Sequence, residues 1–388
     1  MPWAEILWVA AGCSGVVTLL SVAAAIRHGT KLHPFRDRMP GRVTLVLSVT
    51  GSVPGIEALF RALAAQTFPA RRLIVAVESL DDPALARVRL AQHLLACPIQ
   101  IVVGGKCDTR GQKCTNLIAA FRAIDAEDDA ILLFDADILP QPWWLGTLVQ
   151  PLLAGHADLV TGYRWPMLRQ SRPLVQVLAW QDRAVGTLPK FRRFGIIWGG
   201  SVAMSRSAFD RLDLPMVLDR TLSDDLPIGA AARRLGLSVL TRDVLLLPTP
   251  MEGSATEFMR RQFRIVHLYR PFLFRAMSAI YAADAVGWIA LFLLATASKM
   301  ALALVVLLLG TRLTRWYLHD RVGRIIGAPD APADRLRQAL IAVTPPLGTL
   351  VILFLLVQAS ARRPLTWRHI TYALDGPEKL RVVRRALP

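Results

Sequence analysis

Residues 6–26 form an apolar run without a single charged side chain, and no other feature of this sequence constrains the fold as strongly. A run of about 20 apolar residues is long enough for a helix to cross the hydrocarbon core of a bilayer. Such a segment must be helical there, because lipid offers no partner to unpaired backbone groups. No clear small-residue cleavage site follows it, so residues 1–27 are predicted to be an N-terminal transmembrane anchor and not a removed signal.

The charges on either side of this run predict its orientation. Glu5 precedes it, and the residues that follow are basic: Arg27, Lys31, Arg36 and Arg38. Because positive flanks stay in the cytoplasm, the N-terminus is predicted outside and the following domain inside. An arginine-rich chain with a single asparagine is typical of a bacterial source, which makes the location a bacterial inner membrane.

The amino-acid composition limits the classes of partner that this chain can be expected to bind. The net charge of +17 would suit nucleic acid. Here, however, the basic residues lie beside apolar segments in a chain that is 53% hydrophobic, which favours anionic lipid. We therefore expect contact with the bilayer and none with nucleic acid. The four cysteines include no CxxC pair, which argues against a zinc site or a disulfide framework and fits a reducing compartment.

Residues 40–270 alternate between short apolar runs and segments with helical spacing, which predicts one α/β domain. The predicted strands are residues 43–49, 73–77, 99–103 and 130–134, and the predicted helices are residues 53–65, 82–95 and 116–124. Continuous apolar strands separated by helices are typical of a mostly parallel sheet that is covered by helices on both faces.

A second apolar region, residues 277–360, predicts C-terminal transmembrane helices. Residues 277–310 fit a tight helical hairpin that turns near Ser298 and Lys299, with a single tilted helix as the alternative. Residues 339–359 form a further span, kinked at Pro345 and Pro346. The basic tail, residues 361–388, favours the cytoplasm by its charge, whereas the number of predicted crossings places it outside; both alternatives stay open.

Two aspartates separated by one residue follow the last predicted strand. Asp135 and Asp137 would lie at the carboxyl end of a parallel strand, where such sheets bind their ligands. Carboxylates bind Mg²⁺ or Mn²⁺, and the metal would neutralise the charge of a departing nucleoside diphosphate. A solvated turn rich in aspartate is the structural alternative, but the motifs below favour a metal–diphosphate site.

Two further segments carry groups suited to a nucleotide. Asp82 follows the second predicted strand, where it would bind a base or ribose, cap the next helix, or do both. In the glycine-rich segment 104–116, backbone amides could approach phosphate and Lys113 would supply a positive charge. Asn116 closes this segment as the only asparagine of the chain, and we expect it to contact the same donor.

Asp224 and Asp225 open a later helix, where either carboxylate could be the general base for an acceptor hydroxyl. By spacing alone, helix capping explains both residues better, and only the combination with the other motifs favours Asp225 as the base. Arg261 and Arg264 precede the second apolar region, where they would pair with a pyrophosphate or with anionic lipid.

In their order along the chain, these motifs resemble those of the ceramide glucosyltransferases, a branch of the family 2/21-type glycosyltransferases with the GT-A fold. The resemblance covers most of the chain, and its specificity lies in the combination. Its segments are Asp81-Asp82-Pro83, Gly104-Gly105-Lys106, residues 111–116, Asp135-Ala136-Asp137, Gly199-Gly200-Ser201, Asp224-Asp225, Arg261-Gln262-Phe263-Arg264 and Leu365-Thr366-Trp367-Arg368.

This resemblance implies an inverting enzyme that moves a sugar, first of all glucose, from a UDP-sugar to the hydroxyl of a membrane lipid such as ceramide, with Mg²⁺ or Mn²⁺. It assigns the nucleotide to Asp82, the metal diphosphate to Asp135 and Asp137, and proton abstraction to Asp225. Arg261 and Arg264 match the (Q/R)xxRW signature, except that Ile265 stands where that signature has tryptophan.

The missing tryptophan removes an aromatic platform for the acceptor, so a hopanoid or another bacterial lipid becomes an alternative to ceramide. A processive polysaccharide synthase shares part of these motifs, but the few predicted spans argue against it. A nicotinamide-dependent oxidoreductase is disfavoured because no GxGxxG follows the first strand. The intact trio Asp135, Asp137 and Asp225 argues against a scaffold without activity.

Overall fold

A computed structural model describes residues 2–31, 39–168, 172–251, 254–361 and 363–386. The chain divides into two compact units. The sheet unit contains residues 33–164, 190–249 and 362–388, and the helical unit contains residues 1–32, 165–189 and 250–361. Two basic residues that support the predicted orientation, Arg36 and Arg38, lie outside the described residues. The same holds for Arg362 of the basic tail.

The secondary structure alternates as predicted up to residue 134. The helices are α1 (Pro2–Gly29), α2 (Ile56–Ala64), α3 (Pro83–Ala91), α4 (Gln112–Phe121), α5 (Trp144–Leu153), α6 (Pro173–Thr187), α7 (Arg206–Leu212), α8 (Leu214–Val217), α9 (Asp225–Arg234), α10 (Ala255–Tyr269), α11 (Pro271–Ala295), α12 (Lys299–Ile325), α13 (Pro332–Ala342) and α14 (Pro345–Ser360). The strands are β1 (Val43–Ser48), β2 (Arg72–Val77), β3 (Ile99–Val103), β4 (Ala130–Phe134), β5 (Leu159–Met167), β6 (Ser201–Ser205), β7 (Val239–Pro250), β8 (Leu365–Trp367), β9 (Ile370–Gly376) and β10 (Lys379–Arg385).

The sheet unit is built on a seven-stranded sheet with the order β3-β2-β1-β4-β6-β5-β7. β1 lies parallel to both β2 and β4, and β2 lies parallel to β3. β6 pairs antiparallel with β4 and with β5. The predicted fold class, a mostly parallel sheet with helices, is thus confirmed, and the antiparallel strands lie on the β6 side of β4.

Burial explains why the parallel strands could be predicted from sequence. Almost every residue of β1, β2 and β4 is buried, as expected for strands covered on both faces. The helices show the complementary pattern: α2 buries Ile56, Leu59, Phe60 and Leu63, which lie on one helical face. Several boundaries differ from the prediction: α2 begins at Ile56 instead of residue 53, α4 begins at Gln112 instead of residue 116, and α3 ends at Ala91 instead of residue 95.

The basic tail forms a second sheet, with the order β10-β9-β8. Both pairings are antiparallel, and β8 is joined to β9 by the two-residue turn Arg368-His369. The backbone N–H of Val382 donates to the carbonyl of Asp108 at 2.8 Å, which ties the tail to the loop before α4. The tail is therefore a folded part of the sheet unit.

The helical unit contains the helices that could cross a membrane. Three described helices are long and apolar enough: Trp3–Gly29, Pro271–Ala295 and Lys299–Ile325, with a fourth span if the bent pair α13–α14 counts as one. The predicted turn near Ser298 is present, because α11 ends at Ala295 and α12 begins at Lys299. The predicted span at residues 339–359, kinked at Pro345 and Pro346, stays a prediction: the chain bends by 89° between α13 and α14, and the pair is either a broken span or a re-entrant segment.

Two charged residues within these apolar helices have partners inside the unit. Asp284 of α11 is buried, and one of its carboxylate oxygens accepts a hydrogen bond from Thr349 at 2.8 Å. The Arg315 guanidinium lies 4.1 Å from the centroid of the Trp180 ring. Intramembrane charges are tolerated when they find such partners, so these contacts hold α6, α11, α12 and α14 in one arrangement.

The contact between α1 and α11 depends on a missing side chain at Gly287. A Cβ atom there would lie 2.3 Å from both the Ala10 carbonyl and the Ser14 hydroxyl oxygen. We expect Gly287→Ala to lower the free energy of unfolding by about 1–3 kcal/mol through overpacking. The measurement is the thermal unfolding midpoint in detergent. Gly12→Ala is the control, because nothing lies within 4 Å of its added Cβ; equal midpoints for both variants would contradict this packing.

Candidate active site

A buried ammonium group holds two of the predicted carboxylates together. Lys113 Nζ lies 2.6 Å from Asp135 Oδ1 and 3.0 Å from Asp224 Oδ2, and it donates to the Gly199 carbonyl at 3.1 Å. These residues come from the start of α4, the end of β4, the residue before α9 and the turn before β6. The structure therefore brings distant motifs of the sequence to one point, at the carboxyl end of β4.

Asp225, the predicted base, lies next to this cluster with its orientation fixed. Its Oδ1 accepts hydrogen bonds from the Ser223 hydroxyl and, at 2.7 Å, from the Leu226 N–H, and its Oδ2 accepts from the Gly199 N–H at 3.2 Å. Asp225 is only half-buried, so an acceptor substrate can still reach its carboxylate. Gly199 thus contacts both Lys113 and Asp225, and a Cβ at Gly199 would lie 2.9 Å from Asp224 Oδ1.

The crowding of carboxylates changes their acidity. Burial and the like charges of Asp225 and Asp135 raise the pKa of Asp224 to about 6, although Lys113 opposes this. Loss of solvation and the charge of Asp135 likewise raise the pKa of Asp137 to about 6, although its residue keeps an exposed surface. Burial opposes the charge of Lys113, but Asp135 and Asp224 outweigh burial and raise its pKa.

These shifts indicate a site with surplus negative charge. Asp135 and Asp137 could hold a divalent cation, which would relieve their mutual repulsion. Among the described residues no group of three His, Cys, Asp or Glu side chains forms a metal site. Two carboxylates alone suit Mg²⁺ or Mn²⁺ bound jointly with phosphate oxygens and water, so the residues present fit that kind of metal.

Asp82 fulfils its predicted role as a helix cap, and its role toward a nucleotide stays a prediction. Its Oδ1 accepts hydrogen bonds from the Ala84 N–H, as the N-cap of α3, and from the Gly51 N–H, both at 2.9 Å. Its Oδ2 is buried without a hydrogen-bond partner among the described residues. A buried carboxylate oxygen without a partner is costly, so this oxygen is available to a hydrogen-bond donor.

The prediction that Asn116 contacts the donor is not supported. Its residue is fully buried, and its amide donates to the carbonyls of Val49 and Ala76, at 3.1 and 3.3 Å. Its side-chain oxygen accepts a hydrogen bond from Gln112 at 2.9 Å. Asn116 therefore joins the ends of β1 and β2, and it acts on any ligand only through the strands that it positions.

Sequence reasoning missed the contribution of the tail to this edge of the sheet. Glu78, directly after β2, accepts a hydrogen bond from Arg385 at 2.7 Å and lies 3.1 Å from the His369 Nε2 atom. Arg368 donates to the Ser52 carbonyl at 2.9 Å. The available signal was the pattern of β9 and β10, whose alternating apolar residues are separated by a short turn around Gly376.

The remaining predicted cations, Arg261 and Arg264, belong to α10 of the helical unit. Arg264 is buried, and its guanidinium donates to the carbonyls of Ala359 and Ser360 at the end of α14, both at 3.4 Å. The Arg261 guanidinium lies 5.2 Å from the centroid of the Phe258 ring. Their predicted roles toward a pyrophosphate stay predictions.

The family model for glycosyl transferase family 21 matches residues 6–380. The chain belongs to this family. The resemblance to ceramide glucosyltransferases and the GT-A class of fold are thereby confirmed, and the chain is a glycosyltransferase. No curated protein matches it significantly.

Solved structures give more distant similarities to this family 21 enzyme. A mannosyltransferase from Pyrobaculum calidifontis, in complex with GDP-Man and Mn²⁺, is 19% identical with a TM-score of 0.49, over 88% of this chain and 98% of that chain. Glucosyl-3-phosphoglycerate synthase from Mycobacterium tuberculosis, with Mn²⁺, UDP and phosphoglyceric acid, is 17% identical with a TM-score of 0.40, over 58% of this chain and 76% of that chain.

Removing the central ammonium group should make stability depend on pH. In Lys113→Ala, Asp224 stays buried without its cation, and we expect a loss of about 3–5 kcal/mol in the free energy of unfolding at pH 8. A carboxyl with a pKa of about 6 in the folded state and 3.8 otherwise binds its proton more tightly when folded. Lys113 lowers this pKa in the wild type, so its removal raises the pKa of Asp224 further, and the loss should shrink as the pH falls from 8 toward 6.

Thermal unfolding midpoints of the wild type and the variant, between pH 5 and pH 8, measure this effect. The control is the double variant Lys113→Ala with Asp224→Asn, which removes the buried charge and should regain much of the stability at pH 8. A loss that is independent of pH would show that Asp224 does not carry the unpaired charge.

Proposed function

We propose that this chain transfers a hexose, with glucose as the first candidate, from a UDP-sugar to the hydroxyl of a membrane lipid, with inversion at the anomeric carbon and with a divalent cation. The observation that carries the proposal is the Lys113 ammonium group between Asp135 and Asp224, with Asp137 and Asp225 beside it. These groups lie where strands of a mostly parallel sheet end, which is the place of ligand binding in such folds.

The nucleoside half of the donor fits the end of β2. There, the free Oδ2 of Asp82 can accept a hydrogen bond from an imino or hydroxyl group of the nucleoside. Its other oxygen is fixed by two backbone N–H groups, so the free oxygen points in a defined direction. Preorganised acceptors of this kind favour binding, because little order is lost when the ligand enters.

The reacting half of the donor fits the cluster around Gly199. Asp225 is positioned to take the proton of the acceptor hydroxyl, and such base catalysis contributes about 10²- to 10⁴-fold. Lys113 keeps its positive charge near the departing diphosphate, and a fixed cation there stabilises negative charge as it develops. Two separate carboxylates thus have separate roles: Asp135 acts on the side of the leaving diphosphate, and Asp225 acts on the attacking hydroxyl.

Asp135 and Asp137 would hold the cation, and the cation would supply charge neutralisation to the leaving diphosphate. The solved structures of the two similar enzymes contain Mn²⁺ with GDP-Man or UDP, which supports a metal and a nucleotide donor in this family 21 enzyme. Because Asp137 keeps an exposed surface, it can gain a ligand without a rearrangement of the fold.

The lipid acceptor is supported by the helical unit, whose three candidate spans would confine the enzyme to a bilayer. An acceptor in the same membrane needs little further orientation. Ceramide follows from the family, whereas a hopanoid or another bacterial lipid follows from Ile265. We place the sheet unit in the cytoplasm of a bacterial cell, because basic residues follow α1.

The proposal is tested by mass spectrometry of lipids from cells that express the chain, with Asp225→Asn beside the wild type. We expect a new lipid with one added hexose, reduced by about 10²- to 10⁴-fold in the variant, because the base is lost while the donor site is kept. The mass of the product shows that one hexose was added, and the remaining mass identifies the acceptor lipid.

Asp210→Asn is the matched control, since this carboxylate is about half exposed and pairs with Arg206 on the surface of α7. It should form the product at the wild-type level. A polymer in place of a single hexose would favour a polysaccharide synthase. Equal product from Asp225→Asn and the wild type would contradict the assignment of the base.

A further inference from the structure

The turn between β8 and β9 reaches the nucleotide edge of the central sheet. The tail is held there by three contacts: Arg385 with Glu78 at 2.7 Å, the Gln112 N–H with the Tyr372 hydroxyl at 3.2 Å, and the Val382 N–H with the Asp108 carbonyl at 2.8 Å. All three fix the tail on the loops that follow β2 and β3. The position of Arg368 in the turn is therefore determined by the fold of the sheet unit.

Arg368 places a cation between the two halves of the donor site. Its Nη1 atom donates to the Ser52 carbonyl at 2.9 Å. The neighbouring residue, Gly51, donates its N–H to Asp82, so Arg368 is bonded to the loop that also orients the nucleoside carboxylate. In the sheet, β1 lies between β2 and β4, so the loop after β1, to which Arg368 is bonded, lies between the end of β2 with Asp82 and the end of β4 with Asp135 and Asp137.

The guanidinium is still available to a ligand. Arg368 is exposed, and among the described residues no carboxylate lies within salt-bridge distance of its guanidinium. A planar guanidinium has five N–H donors, and the contact with Ser52 uses one of them. The others match the geometry of phosphate oxygens, which arginine binds through paired hydrogen bonds.

The backbone of Arg368 is unusual for an arginine. Its φ angle is +58°, in the left-handed region that favours glycine. Glycine would form a turn at this position more easily, so the turn itself does not require an arginine. Strained residues of this kind cluster at functional sites.

We infer that Arg368 binds the diphosphate of the donor, so that the C-terminal tail completes the nucleotide site. This inference rests on the proposed function and adds a residue to it from the far end of the chain. The ligand class is a nucleoside diphosphate, bound between Asp82 and the pair Asp135–Asp137. Arg368 is a binding residue in this assignment, and the base remains Asp225.

The test is a comparison of nucleotide binding to the full-length protein in detergent, in the presence of Mn²⁺. Isothermal titration with UDP is performed on the wild type, Arg368→Gly and Arg368→Lys, and uridine binding is followed by NMR. We expect Arg368→Gly to bind UDP about 10- to 100-fold more weakly, as for the loss of a charge-assisted hydrogen bond, and uridine as strongly as the wild type. Arg368→Lys should lie between them.

Glycine is chosen because it separates binding from folding. It relieves the left-handed backbone, so the thermal unfolding midpoint of Arg368→Gly should equal or exceed that of the wild type. Arg381→Ala is the matched control, since it removes an exposed cation from β10 of the same small sheet. It should leave UDP binding unchanged, which would exclude a general effect of net charge.

Three results would overturn the inference. Unchanged UDP binding by Arg368→Gly would show that Arg368 does not contact the diphosphate. Equal losses of UDP and uridine would place its effect on the nucleoside side. If the wild type itself binds no UDP, the proposed donor is wrong and the inference falls with it, whereas the first two results leave the proposed function standing.

Discussion

The ion cluster around Lys113 is the interaction on which the site depends. Three carboxylates, Asp135, Asp224 and Asp225, lie close together in a partly buried place, where like charges repel strongly. One ammonium group with contacts to two of them makes the arrangement possible, and the carbonyl of Gly199 provides its third acceptor. Because α4, β4, β6 and α9 meet at this point, the same contacts that fix the fold also fix the chemistry.

Much of the sheet unit could be predicted from sequence, and the reason is physical. Parallel strands covered on both faces are continuous apolar runs, so β4, whose residues are all buried, was predicted with the bounds that the structure shows. The predicted acidic residues also meet as expected, since the carboxyl ends of such strands lie at one edge. Helix starts were less accurate, because polar first turns resemble loops.

The errors concern properties that depend on distant parts of the chain. Asn116 is unusual in composition, but only the structure shows that its amide faces the carbonyls of Val49 and Ala76 instead of a ligand. The contacts of Glu78 with His369 and Arg385 span 291 and 307 residues, and local patterns carry no information on such pairs. Pro345 and Pro346 predicted a kink, but not its angle of 89°.

The docking of the tail constrains how the chain threads the bilayer. The polypeptide leaves the sheet unit after Thr249 and rejoins it after Ala361, so both ends of this excursion are in the same aqueous compartment. An excursion of that kind must contain an even number of complete passages. With α11 and α12 as one outward and one return passage, the bent pair of α13 and α14 is left as a re-entrant or surface-lying segment.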